Sequence, residues 1–174
     1  MTRLAVPDFS LVVLIGPTGS GKSSLAGKHF LETEIVSSDR CRALVSDDET
    51  DLAATTDAFD LLSYTAALRL KRRMLTVIDA TSVKREDRAK LVALARKHHA
   101  LPVALALDID PKLCHERNLA RPDRNFGDHV ARTHSRSLRR GLRGLQKEGF
   151  RQVHVMKTPA EADALEIVRE PLWT

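Results

Sequence analysis

Short apolar runs alternate with longer amphipathic stretches along the chain. Leu11-Val-Val-Leu-Ile15 is a continuous β-branched run ending at a glycine, the pattern of a strand buried on both faces. Four further short runs read the same way: Glu34–Ser37, Leu75–Asp79, Leu101–Asp108 and Gln152–Met156. Between them lie helical patterns over 22–30, 55–73, 84–98 and 127–147, a helix opening at Pro111, and a last one over 159–168. In the 55–73 segment the periodicity predicts an inner face of Ala58, Leu61, Leu62, Thr65 and Leu68, and in 127–147 one of Val130, Leu138, Leu142 and Leu145. Five short strands separated by helices predict an α/β fold, a five-stranded parallel sheet with helices on both faces. No internal repeat or linker divides the 174 residues, so a single domain over 1–174 is expected.

Composition narrows the class. With 43% hydrophobic and 29% charged residues the chain suits a soluble globular protein, and no apolar run approaches the roughly 18 residues of a membrane span. The first residues lack the basic-then-apolar order of a signal peptide. Cys41 and Cys114 sit in no metal-ligand spacing, so a reducing cytoplasm is the expected compartment. The net charge of +5 is unevenly spread: residues 117–147 hold nine Lys or Arg against only Asp123 and Asp128. Such a segment suits phosphate-bearing ligands or forms a solvated helix face.

The sharpest motif follows the first strand. Gly16-Pro-Thr-Gly-Ser-Gly-Lys-Ser23 fits the P-loop pattern, and its place between a strand and a helix is the context that pattern requires. Gly16, Gly19 and Gly21 permit close backbone approach, so that successive amide N–H groups of the loop, with Thr18 and Ser20 among its residues, point inward and bind phosphate oxygens. Lys22 is expected to reach the β- and γ-phosphates of ATP, Ser23 to ligate Mg²⁺, and Ser24 to add a hydrogen bond. The motif predicts nucleotide binding and leaves the second substrate open.

Strand two runs into Ser37-Ser-Asp-Arg-Cys-Arg42. In an open parallel sheet ligands lie outside the carboxyl ends of the strands, so Asp39 is expected to share the P-loop's crevice. A carboxylate there accepts the proton of an attacking hydroxyl, or simply caps a helix, with Ser38 as a competing cap. Arg42, one turn on, either holds Asp39 or grips a substrate phosphate. Arg117 and Arg121 are four apart on the Pro111 helix and are expected to share a face. Pro122 then breaks the chain before Arg124, which outlines a hinged basic lid over about 117–148. Arg132, Arg136, Arg139 and Arg143 form a stripe opposite the leucines. Asp79 is a candidate second acid near the metal or a turn cap, Thr81, Ser82 and Asp108 remain unassigned, and the seven histidines read as structural.

These segments, together with Leu44-Val-Ser-Asp-Asp48, Val77-Ile-Asp-Ala-Thr81, Cys114-His-Glu-Arg-Asn118, Arg121-Pro-Asp-Arg124 and Gly144-Leu-Gln-Lys-Glu-Gly-Phe-Arg151, run in an order that resembles the 5′-OH polynucleotide kinase domain of bacterial polynucleotide kinase-phosphatases, enzymes of RNA end-healing. The resemblance covers essentially the whole chain. It implies a P-loop kinase fold and transfer of the ATP γ-phosphate to single-stranded nucleic-acid 5′-OH ends. It further implies Asp39 as general base, Arg42 as a substrate-phosphate contact, Arg124 as the lid arginine on the ATP phosphates and Arg117 as a second cationic contact. In such enzymes phosphatase and ligase-like modules follow a Pro-Leu-Trp stretch like the one ending at Trp173, so the chain is expected to be the kinase unit of a longer repair protein. The alternatives are a P-loop kinase acting on a small-molecule hydroxyl, and a nucleotide-binding module that transfers nothing.

Overall fold

A computed structural model describes residues 1–123 and 127–172; Arg124 and Trp173 lie outside the described residues. The expected five strands are β2 (Ser10–Ile15), β3 (Ile35–Ser37), β4 (Thr76–Asp79), β5 (Leu101–Leu107) and β6 (Gln152–Met156). They form one parallel sheet in the order β3-β4-β2-β5-β6. The run read as strand one is its centre. Leu11, Val13 and Ile15 point into one apolar cluster, and Val12 and Leu14 into another on the opposite face. All five are fully buried, and each such burial contributes roughly 1.5–3 kcal/mol.

The helices are α1 (Lys22–His29), α2 (Ser38–Ser46), α3 (Thr55–Lys71), α4 (Arg85–Lys97), α5 (Pro111–Leu119), α6 (Asp128–Gly141), α7 (Leu145–Glu148) and α8 (Pro159–Ala164). Ser37 caps α2 by accepting the Arg40 amide at 3.3 Å, and Asp110 caps α5, with Pro111 as its first residue. Among the described residues no helix is long and apolar enough to cross a membrane. Cys41 and Cys114 are free, buried thiols.

Three expectations change. The helix expected over 159–168 stops at Ala164, and Leu165–Glu170 becomes β7, pairing in parallel with β1 (Thr2–Pro7). Ala-Glu-Ala-Asp-Ala favours helix locally, but Leu165 and Val6 are buried and Leu4 and Ile167 pack beside them, so a partner more than 150 residues away decides the state. The helix expected over 127–147 divides at Leu142–Gly144, a 3₁₀ turn between glycines. On α3 the buried ridge is Ala58, Leu62, Ala66 and Leu70, whereas Leu68 is 46% exposed. A strict four-residue spacing with two alanines lets that helix lie close to the sheet.

The division of the lid segment places Glu148 on Arg88. The Arg88 guanidinium donates twice to Glu148, at 2.7 Å each, and its third nitrogen donates to the carbonyls of Ser82 and Val83 at 3.1 and 2.8 Å. Arg88 is 1% exposed, and a Cβ on Gly141 would fall 2.7 Å from its Nη2. One guanidinium thus joins the segment after β4 to the end of α7, packed against Gly141 at the end of α6. Arg88→Met removes one partner of a buried, fully hydrogen-bonded pair and strands the other. The expected loss is about 3–5 kcal/mol in urea unfolding at pH 7, whereas Arg88→Met combined with Glu148→Leu should recover a large part of it.

Candidate functional site

The loop between β2 and α1 occupies the point where the strand order reverses, with β4 on one side of β2 and β5 on the other. Gly19 and Gly21 have φ of 81° and 98°, and a Cβ on Gly19 would sit 2.4 Å from the Cys114 carbonyl oxygen. Only glycine meets both demands at that position. The buried Lys22 folds back over the loop, its ammonium donating to the carbonyls of Gly16 and Pro17 at 3.0 and 2.8 Å. The Gly16 amide donates to the Thr81 carbonyl at 2.9 Å, tying the loop to the segment after β4.

Two residues named separately from sequence come together here. Ser23 Oγ donates to Asp79 Oδ2 at 2.7 Å. A hydroxyl from the first turn of α1 and a carboxylate from the end of β4 are hard oxygen donors, the chemistry Mg²⁺ takes when water and phosphate complete its shell.

The opposite wall is the start of α2. Because Ser37 is the cap, neither Ser38 nor Asp39 performs that task, and Asp39 presents its carboxylate in the first turn. Arg42 Nη1 donates to Asp39 Oδ1 at 2.7 Å and its Nε to Thr55 Oγ1 at 3.4 Å. Arg42 is the more enclosed partner, its side chain 14% exposed against 38% for Asp39. Both line the same cavity of about 1030 Å³ as Gly19–Ser24 and Asp79, with Leu52 and Phe59 as its apolar wall on this side.

The third wall comes from α5 and α6. Arg117 Nη1 donates to the Gly19 carbonyl at 3.3 Å. Arg121 does not share a helical face with it, because α5 ends at Leu119; it lies past the helix end, exposed, at the cavity rim. Arg124 lies outside the described residues. Within the basic stripe Arg132 pairs with Asp128 inside α6, and Arg139 pairs with Asp108 after β5.

Two residues that sequence reading passed over hold the loop. Asn118, 1% exposed, receives the Thr18 hydroxyl at 3.2 Å and donates to the Thr18 carbonyl at 3.3 Å. His134, read as one of the structural histidines, lines the cavity and accepts the Thr18 amide at Nδ1, at 3.3 Å. Burial, with smaller contributions from the charges of Lys22 and Lys84, lowers its pKa to about 4. Asn118 stood in the sequence only as the last residue of the Cys114–Asn118 motif, with no role given to it, and His134 gave no signal.

The direction of that shift sets a pH dependence. The unfolded chain binds the His134 proton more tightly than the folded one, so this contribution to stability is intact above about pH 6.5 and is lost as pH falls towards about 4. Thermal unfolding from pH 7 to pH 4 should show a falling midpoint whose slope is reduced in His134→Gln. The slope should not vanish, since burial and Lys28 also depress His29.

No curated protein matches the chain in sequence. Among solved structures the fold is similar to a chain of the Pnkp1/Rnl/Hen1 RNA repair complex, with a TM-score of 0.66 and 20% identity, covering 78% of this chain and 45% of that one. The chain therefore spans less than half the length of that repair protein. It is also similar to a putative kinase from Chloroflexus aurantiacus (TM-score 0.63, 16% identity, 87% of this chain and 86% of that one). A third is shikimate kinase from Acinetobacter baumannii (TM-score 0.52, 17% identity, 89% and 88%). At these identities the likeness is one of fold, the α/β fold of P-loop kinases with its five-stranded parallel sheet. In sequence, residues 11–147 match the AAA domain family, and with the phosphate loop in its structural context the chain belongs to that family as a P-loop kinase-like domain.

Proposed function

We propose that this domain is a polynucleotide 5′-hydroxyl kinase, transferring the γ-phosphate of ATP to the 5′-OH end of RNA or DNA. The observation that carries this reading is the Asp39–Arg42 pair facing the phosphate loop across one cavity. A nucleotide-binding loop alone needs no carboxylate there, whereas transfer to a hydroxyl needs a group to take its proton. The likeness in fold to a chain of an RNA repair complex favours a nucleic-acid acceptor, and the motifs Ser37–Arg42, Cys114–Asn118 and Arg121–Arg124 support it. In this reading the chain is the kinase unit of a longer repair protein of the reducing cytoplasm, working beside phosphatase and ligase-like modules.

The loop amides from Gly19 to Ser24 cradle the phosphates, and Lys22 leaves the Gly16 and Pro17 carbonyls for the β- and γ-oxygens. Ser23, with Asp79 hydrogen-bonded to it, would hold Mg²⁺, which would supply charge neutralisation to the phosphates. Asp39 accepts the proton of the attacking 5′-hydroxyl. Arg42, through its ion pair, fixes the orientation of that carboxylate and meets the acceptor's phosphate with its remaining donors. Arg117, already at the Gly19 carbonyl, and Arg124 stabilise the charge spread over the phosphoryl group in transit.

Transfer of labelled γ-phosphate to a 5′-OH oligonucleotide, with shikimate, gluconate and free sugars as competing acceptors, separates this reading from a small-molecule kinase. Labelling of a small acceptor in preference to the oligonucleotide sinks it. Asp39→Asn should slow transfer by about 10²–10⁴-fold while ATP affinity measured by calorimetry stays close to wild type. Lys22→Ala should weaken binding and transfer together. ATP binding with no transfer to any acceptor, indifferent to Asp39→Asn, would instead mark a nucleotide sensor.

A further inference from the structure

Thr18 is held from both lid helices. Asn118 of α5 takes its hydroxyl and donates to its carbonyl, while His134 of α6 takes its amide proton. An imidazole that accepts at Nδ1 carries its proton on Nε2, so the ring lining the cavity has a second nitrogen able to donate. The anchoring point matters. Thr18 directly follows Gly16 and Pro17, whose carbonyls hold the Lys22 ammonium, and Lys22 is the loop side chain that reaches outermost phosphates. Val130, Thr133 and Ser137, on the same side of α6 as His134, also line the cavity.

We propose that His134 is a nucleotide-binding residue that reads the γ-phosphate, donating from Nε2–H to the terminal phosphate oxygens while Thr18 and Asn118 fix the ring's position. This rests on the nucleotide-binding reading of the loop, and goes beyond it by assigning a triphosphate-over-diphosphate preference to α6. The chemistry favours a neutral ring in that role. Burial, and after it the charges of Lys22 and Lys84, lower its pKa to about 4, which favours the uncharged ring at neutral pH. It contributes a directional donor without adding another cation to the site.

The test is calorimetric titration of the whole chain with Mg²⁺ and ADP, and separately with Mg²⁺ and a non-hydrolysable β,γ-imido ATP analogue. His134→Leu conserves size and removes both ring nitrogens; His134→Gln keeps one acceptor and one donor. In His134→Leu the ATP analogue should bind about tenfold or more weaker while ADP stays within about twofold, and His134→Gln should restore most of the difference. Equal losses for the two nucleotides would make His134 a lid-packing residue and overturn the proposal. So would a His134→Gln protein that melts like wild type yet discriminates no better than His134→Leu. Failure of the wild type to bind either nucleotide would overturn the loop reading as well. Binding of both nucleotides without phosphorylation of any oligonucleotide would overturn only the proposed acceptor.

Discussion

Parallel pairing of β2 with β4 on one side and β5 on the other is the constraint from which the site follows. Parallel strands bring their carboxyl ends to one edge, so the loop after β2, Asp79 at the end of β4 and the α2 turn after β3 must meet there. The pairing is enforced by burial on both faces of β2. Side chains alternate between two separate apolar clusters, and a slip of one residue would exchange every one of them. The 2.7 Å contact between Ser23 and Asp79 is therefore a consequence of sheet register, although 56 residues separate them in the chain.

Elsewhere the molecule uses ion pairs, one fully buried and one with a single buried partner, to join segments distant in the chain. Arg88 and Glu148 join the segment after β4 to the end of the lid region, and Arg169 with Glu34 joins β7 to the turn before β3. The Glu34 carboxyl is held below its ordinary pKa by hydrogen bonds from Arg169 and the Leu31 amide, which outweigh the upward push of burial. Pairs of this kind add little net stability over apolar residues of equal size. Losing one partner is costly, which makes them effective determinants of position.

The lid region is tied to the phosphate loop mainly by polar contacts. Arg117 reaches the Gly19 carbonyl, while Asn118 and His134 converge on Thr18. Polar ties of this length are individually modest and exchange readily with ligand or water. The Thr18 ties hold the loop against α5 and α6, whereas Arg117, resting on a loop carbonyl, is a donor poised to move onto phosphate. The Lys22 ammonium, resting on two loop carbonyls, has the same character. The buried Arg88 pair anchors the far end of the lid region, so its near end is the part with contacts to exchange.

Local pattern was enough for the phosphate loop, the five strands of the main sheet and most helices, because each is written in a short window. A continuous apolar run marks a strand covered on both faces, and a glycine-rich turn before lysine and serine marks an anion cradle. Asp39 and Arg42 were legible for the same reason, since one turn of helix after a strand end determines where both point. The rest depended on partners distant in the chain. Leu165–Glu170 is a strand only because Thr2–Pro7 lies beside it, and Leu68 is outward because two alanines bring α3 close to the sheet along another ridge. His134 differs from the other histidines by the Thr18 amide 116 residues away, and Arg88 from other helix arginines by Glu148. Sequence by itself determined the chemistry that local spacing can encode, a phosphate cradle on a parallel sheet. Tertiary structure alone decided which polar side chains close over it, because hydrogen bonds between distant segments leave no periodicity to read.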